Sequence, residues 1–431
     1  MKDLEARTEE IAGIAEEVRA FYDRHPYPPP VDDLDSYRRL WDDLRRRRAE
    51  SHLFWPAEPY REDRSVLVAG CGTAQAAKYA LRWPRAQVTG IDVSATSIRR
   101  TEELKRKYRL ENLDLHQLPV ENATDLERSF EQIVCTGVLH HLPDPDAGLR
   151  ALREVLEQGG AMHLMVYAPY GRAGVYLLQE YCRRLRIGSS APEIRDLATS
   201  LKALPPDHPL VPLLRNASDF RQEAALADAL LHPQDRPYSV PQMLDFLGRG
   251  GLQFGRWVRQ APYLPHCGAL AASPHRPLLT RLPAEEQYAA VELFRGTMIR
   301  HSAVAYRSDR PGPVQPIEFD GDAWLGYVPL RMPDTICVQE RLPPGAAGVL
   351  INQSHTYTDL YLPIDPQEKQ LFDAIDGECA IGDIVREHGQ RDTARALFER
   401  FWWYDQVVFD ATQIPKRESP PAEAGHGLTS S

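Results

Sequence analysis

Between residues 65 and 167 short apolar runs alternate with amphipathic stretches. The runs at 65–69, 87–91, 113–118, 132–136 and 161–167 read as strands, and 73–82, 95–109 and 146–157 as helices. Strands alternating with helices predict an α/β domain with a parallel sheet covered on both faces. Upstream, Leu4, Ile11, Ile14, Ala15, Val18 and Phe21 recur at helical spacing over 3–22. That helix must stop at His25-Pro26-Tyr27-Pro28-Pro29-Pro30, because proline lacks a donor and constrains its predecessor. A second polar helix is expected at 35–52, with Arg45 to Arg48 as a solvated face.

Beyond the alternating region, 171–236 reads as a helical insertion broken at Leu204-Pro205-Pro206-Asp207-His208-Pro209, and a helix at 240–250 leads to a strand near 252–260. The stretch SDRPGPVQP at 308–316 has linker composition. It separates off 317–412, where helices at 367–375, 381–388 and 393–404 precede a strand at 407–409, an α+β unit of winged-helix-like make-up. The expected plan is a helical cap at 1–55, a central domain at 56–310, a C-terminal accessory module at 317–412 and a disordered tail at 415–431.

A chain of 431 residues suits two or three domains. Its 61 acidic against 51 basic residues, a net charge of −10, argue against a general phosphate-backbone binder. The six cysteines form no CxxC pair, so neither a zinc ribbon nor a disulfide framework is expected, and no metal site. MKDLEARTEE lacks the apolar core of a secretory signal, and no apolar run reaches the roughly 18–20 residues of a membrane span. A soluble, cytoplasmic protein is expected, with a homodimer left open.

The sharpest chemical signal is Val66-Leu67-Val68-Ala69-Gly70-Cys71-Gly72-Thr73-Ala74, a buried strand entering a glycine turn and a helix. Glycine lets the backbone turn tightly and a ligand lie against it. A dinucleotide fingerprint wants glycine or alanine where Gln75 stands, and a P-loop wants Gly-Lys-Ser/Thr, which is absent. Val88-Thr89-Gly90-Ile91-Asp92 ends the second strand in an acid 20 residues after Gly72, placed to accept from both hydroxyls of a ribose. Ile133 to Thr136 then exits into Gly137-Val138-Leu139-His140-His141-Leu142-Pro143-Asp144-Pro145 at the carboxyl edge of the sheet, where open α/β sheets bind ligands.

In combination, VLVAGCGTA, GIDVS and VCTGVLHHLPDPD resemble the motifs of the class I S-adenosylmethionine-dependent methyltransferases, over about 65–168. The resemblance implies a Rossmann-like sheet, S-adenosylmethionine as cofactor and methyl transfer as the activity. By it, Gly70, Cys71 and Gly72 approach the methionine part of the cofactor, Asp92 the ribose and Val93 the adenine, with Thr136 on the loop beyond. Many members place an acid after the third strand for the adenine amine; here it is displaced to Glu121. His140 and His141 are candidate general bases or only shape the loop. Tyr22 and Tyr27 close the site or pin the first helix, Tyr22 being the alternative base. Tyr176, Tyr181 and Arg184 are candidate pocket residues of the insertion, which can equally serve dimerisation.

The acceptor read from these residues is an O, N or C nucleophile on a metabolite-sized molecule. A peptide or protein acceptor is the alternative, since LFDAIDGECAIGDIV loosely resembles small domains that present precursor peptides to modifying enzymes. A non-catalytic cofactor-binding scaffold is a third reading. RNA is disfavoured because Thr136-Gly137-Val138-Leu139 stands where an Asn-Pro-Pro-Tyr-type motif would be.

Overall fold

The structure, a computed structural model, describes residues 2–216, 222–311, 317–388 and 391–413. Helix α1 (Lys2–Arg24) is followed by α2 (Asp35–Trp41) and α3 (Leu44–Phe54), where the sequence pattern suggested one helix. The break has a local cause: the Asp43 carboxylate accepts from Arg45 N at 2.9 Å and so caps the start of α3.

The central domain runs β1 (Ser65–Ala69), α4 (Gln75–Arg82), β2 (Gln87–Asp92), α5 (Ala95–Tyr108), β3 (Leu113–Gln117), β4 (Phe130–Thr136), α6 (Pro145–Val155) and β5 (Leu156–Tyr167). An inserted group follows: α7 (Ala173–Leu185), α8 (Ala191–Ser200), α9 (Val211–Asn216) and α10 (Glu223–Leu231). The domain closes with α11 (Val240–Arg249), β6 (Leu252–Trp257), α12 (Arg276–Leu279), α13 (Ala284–Arg295) and β7 (Arg300–Arg307). The seven strands form one sheet in the order β3-β2-β1-β4-β5-β7-β6, with β7 antiparallel to both its neighbours. In β1, Leu67 and Ala69 join one core cluster while Val66 and Val68 join another, as alternation on a sheet covered on both faces requires.

Strand β7 was not anticipated. Its apolar centre Ala303-Val304-Ala305 is fully buried between β5 and β6. The chain turns back into it after Gly296, which ends α13 at φ +61°.

The C-terminal module comprises β8 (Val328–Arg331), β9 (Thr335–Val338), β10 (Gly348–Asn352), β11 (Leu362–Ile364), α14 (Pro366–Asp373), α15 (Ile381–His388), α16 (Arg391–Trp403) and β12 (Val407–Asp410). Strands β9, β10 and β11 make an antiparallel sheet and β12 pairs with β8, so four strands join the elements read from sequence. Of the presumed linker, 312–316 lies outside the described residues, as does the tail from 414. The module is not loosely tethered. Leu330, Met332 and Val408 pack in one cluster with Leu53 and Phe54 of α3 and Val304 and Tyr306 of β7. Asp405 accepts from Gln260 N at 3.2 Å and Ala261 N at 2.9 Å, and pairs with Arg256 at 3.4 Å and His355 at 3.3 Å. Burial raises the Asp405 carboxyl, but His355, Arg256 and Arg259 together hold it below the usual range. Among the described residues no helix is long and apolar enough to cross a membrane.

Replacing Asp405 by alanine leaves a buried guanidinium and two backbone donors without their acceptor. We expect a loss of about 3–5 kcal/mol of stability in urea unfolding. A loss below about 1 kcal/mol, the scale of an exposed pair, would show that this contact does not anchor the module.

Candidate functional site

The carboxyl ends of β1 and β2 build the core of the site. After Ala69 the chain turns through Gly70 at φ +69° and Gly72 at φ +54°. A Cβ at Gly70 would sit 2.3 Å from Val138 Cγ2, and one at Gly72 would sit 3.0 Å from Pro28 Cδ and Tyr27 O. Both positions therefore demand glycine on backbone conformation and on space. Asp92 ends β2 with one carboxylate oxygen accepting from Gly72 N at 2.8 Å and the other from Ser94 N at 2.8 Å. Burial pushes the Asp92 carboxyl up to about 6, against the two backbone N–H groups that favour its charge.

The N-terminal segment lies over this turn. Asp23 of α1 accepts from Ser94 Oγ at 2.7 Å and Thr96 N at 3.2 Å, at the start of α5. Thr73 Oγ donates to Pro28 O at 2.7 Å. The proline-rich stretch is thereby fixed as a cover on the glycine turn, with Tyr22 and Tyr27 facing inward.

A cavity of about 970 Å³ opens beneath it. Gly70, Gly72, Asp92, Val93, Glu121 and Thr136 line one end. Thr136 Oγ accepts from Gln75 Nε2 at 2.8 Å, and burial raises the Glu121 carboxyl. Cys71 departs from the expectation: its thiol is fully buried in the core packed on α4, so only its main chain is available to a ligand. A volume at the upper end of the roughly 300–1,000 Å³ typical of ligand pockets leaves room for a second molecule beside the first.

The middle of the cavity is walled by Tyr22, His141, Tyr167, Arg172 and Asp228. His141 Nδ1 lies 2.7 Å from Gln234 O; a carbonyl only accepts, so Nδ1 carries a proton, and in the neutral ring the lone pair is on Nε2. His232 is the reverse. Its Nδ1 accepts from Gln234 N at 3.0 Å, which puts the proton on Nε2. Tyr22 donates its hydroxyl to Asp228 Oδ1 at 3.1 Å. Burial and the Asp228 charge raise the Tyr22 phenol far above its usual range, and burial raises Asp228 itself against His141 and Arg172. His141, Asp228 and His232 offer atoms within 4.8 Å of one another, a spacing a metal ion could bridge. For His232 Nε2 to ligate, however, Nδ1 would have to give up the Gln234 N–H. His140 is fully buried, packs with tilted rings 4.1 Å from His141 and 4.2 Å from Tyr167 between ring centroids, and does not reach the cavity wall.

Of the insertion's predicted residues none lines the cavity: Tyr181 and Arg184 are exposed, and the Tyr176 hydroxyl accepts from Arg172 Nε at 3.3 Å. Leu213, Ala225, Asp228 and Ala229 take that place. Arg172 stacks 3.6 Å from the centroid of Tyr167 and pairs with Asp235 at 3.3 Å. The Arg45–Arg48 run is likewise more than a solvated face. Arg46 pairs with Asp334 at 3.1 Å on the cavity wall, and Arg47 with Glu62 at 2.9 Å. No local motif marks Asp228, His232 or Arg172; they reach the site only because the insertion folds back on β4 and β5.

Comparison with known proteins agrees with this geometry. A family model described as a methyltransferase domain matches residues 67–162. A protein of Synechococcus sp. described only as uncharacterized is 31% identical over 251 residues, 56% of this chain and 59% of that one. The ubiquinone biosynthesis O-methyltransferase of Pseudomonas aeruginosa is 27% identical over 159 residues, 36% of this chain and 61% of that enzyme. The chain thus spans about three fifths of the length of these relatives. Among solved structures, PKMT2 from Rickettsia typhi in complex with AdoHcy shares the fold with a TM-score of 0.61 at 15% identity, over 89% of this chain and 77% of that one. The glycine turn, Asp92 and the matched family together show that the chain has at its centre a methyltransferase domain of the class I S-adenosylmethionine-dependent family.

Proposed function

We propose that the chain transfers the methyl group of S-adenosylmethionine to an O, N or C nucleophile of a metabolite-sized acceptor bound in the same cavity. One observation carries this reading: a single cavity runs from the Gly70–Gly72 turn and Asp92 past His141 and Tyr22 into a further chamber. The residues fit the cofactor. Asp92 is a fixed acceptor for ribose hydroxyls, Val93, Pro119, Val120 and Leu142 give an apolar slot for adenine, and the glycine turn leaves backbone open to the methionine part. The bound cofactor supplies an electrophilic methyl on a sulfonium. The protein's share is alignment, exclusion of water and, where the nucleophile is an alcohol or phenol, removal of its proton.

His141 is the better placed base. Its Nε2 lone pair is held ready by the Gln234 carbonyl, whereas Tyr22 already donates its proton to Asp228 and would become a phenolate beside a carboxylate. Tyr22 is better suited to hold Asp228 and close the lid. The alternative peptide acceptor finds less support, because among the described residues the C-terminal module gives the cavity wall only Met332, Pro333 and Asp334. Incubating the protein and methyl-labelled cofactor with cell extract split into small-molecule, peptide and RNA fractions tests the proposal. Label confined to the peptide or RNA fraction would refute the metabolite reading, and no transfer at all would favour the scaffold.

Asp92→Asn should weaken S-adenosylhomocysteine by ~1.5–3 kcal/mol in calorimetry, since a charged acceptor for two hydroxyls becomes a neutral one. The pH dependence has a definite sign. The carboxylate that accepts from ribose is ionised above about 6, so affinity should hold steady above pH 7 and fall as pH drops through 6. Affinity that is flat from pH 5 to 8 would remove Asp92 from the binding site.

His141→Ala should lower turnover roughly 10²–10⁴-fold with cofactor affinity retained, the size of a general-base contribution. Tyr22→Phe should cost far less turnover. The opposite ranking would transfer the base role to Tyr22, and a fall in stability and cofactor affinity together in His141→Ala would mean that the histidine only shapes the loop.

A further inference from the structure

Past Tyr167 and Met165 the cavity continues into a chamber made by α3, α4, the inner strands β5 and β7, the turn after β6, and the β8–β9 turn of the C-terminal module. Its wall carries five cationic side chains, Arg46, Lys78, Arg82, Arg259 and Arg300, against two carboxylates, Glu50 and Asp334. Two of the cations are already committed. Arg82 pairs with Glu50 at 2.8 Å and stacks 3.9 Å from the centroid of Trp41, and Arg46 pairs with Asp334 at 3.1 Å.

The remaining three have no carboxylate of their own. Arg259 reaches Asp334 only at 3.9 Å, a carboxylate that Arg46 already holds. Lys78 is partly buried, and among the described residues neither it nor Arg300 makes an ion pair. His163 completes the chamber floor. One ring nitrogen meets Ser302 Oγ at 2.8 Å, while Nδ1 is buried without a partner. Burial and the charges of Arg82, Arg259 and Arg300 push this imidazole down to about 3, so it stands neutral among cations. Lys78 and Arg259 are half-buried and Arg300 is exposed. Arg259 donates to Ser354 Oγ at 2.5 Å and to Val258 O at 3.1 Å, both neutral acceptors. Beside an unpaired ring nitrogen, the cations thus outnumber the carboxylates that could pair with them.

We propose that this chamber holds an anionic group of the acceptor, a phosphate or a carboxylate, between Lys78, Arg259 and Arg300. The inference rests on the reading of the cavity as a methyl-transfer site and adds the acceptor's chemical class. The acceptor is then two-ended, its nucleophile at His141 and its anion against the cations. A lysine ammonium or other cationic acceptor is disfavoured by the same excess of charge. The C-terminal module acquires a role as well. Through Asp334 it positions Arg46 and faces Arg259, closing the chamber from the side the sheet leaves open.

Titration calorimetry with S-adenosylhomocysteine at saturation tests this, with inorganic pyrophosphate and benzoate as anionic probes and choline as the cationic control. We expect at least one anion to bind and choline not to. In the double variant Lys78→Gln, Arg300→Gln that anion should weaken at least tenfold, with S-adenosylhomocysteine affinity within twofold and the circular dichroism spectrum unchanged. Which probe binds assigns phosphate or carboxylate. No anion binding to the native protein, or binding unaltered in the double variant, overturns the proposal. Should S-adenosylhomocysteine itself fail to bind, the functional reading fails separately. The anion titration run alone still reports on the chamber, and sensitivity to Asp92→Asn in place of the double variant would put the anion at the wrong end and overturn it.

Discussion

The two hydrogen bonds that Asp92 accepts from Gly72 and Ser94 tie the ends of β1 and β2 together, and the site is organised around them. A carboxylate buried at this depth is costly unless its lone pairs are met. Here the backbone of the glycine turn meets them. The turn holds the acid, the acid holds the turn, and the pocket floor is rigid before any ligand arrives. Ser94 then passes the connection on to Asp23, and Thr73 to Pro28, so that the cover over the site is fastened to the same two strand ends.

From that floor the cavity is assembled by parts of the chain remote in sequence. The insertion returns through Gln234, whose carbonyl accepts from Nδ1 of His141 and whose N–H donates to Nδ1 of His232, one residue orienting both rings. This arrangement orients both rings with main-chain groups, and His141 lines the cavity. The far chamber needs α3 and the C-terminal module as well. Asp405 fastens that module to Gln260 and Ala261 just after β6, which brings Asp334 against Arg46 and Arg259. Methyltransferase sheet, N-terminal helices and C-terminal module thereby form one wall.

Much of this was legible along the chain. The alternation of apolar runs and amphipathic helices determined the parallel core from β1 to β5, because its central strands β1, β2 and β4 are buried along most of their length and so carry mainly apolar residues. Gly70, Gly72 and Asp92 were legible because they act through backbone conformation and strand register, which local sequence controls. Strand β7 was not read, since its short run Ala303-Val304-Ala305 is ambiguous until two partner strands flank it. Cys71 was read as approaching the cofactor with Gly70 and Gly72, yet a side chain on a turn points where packing sends it, and its thiol lies in the core.

What only the tertiary structure decided is the acceptor side. Asp228, His232 and Arg172 sit in helical or irregular stretches that carry no motif, and long-range folding alone brings them beside His141. The cations at Lys78, Arg82, Arg259 and Arg300 are spread over more than two hundred residues of an acidic chain, so a composition that argues only against a general phosphate-backbone binder gave no pointer to this local cluster. Net charge sums over the whole surface, while a ligand responds to the few charges within reach of it. The sequence by itself determined the cofactor end, where chemistry follows from strand order and turn geometry; the acceptor end depends on which distant segments meet, and only the fold brings them together.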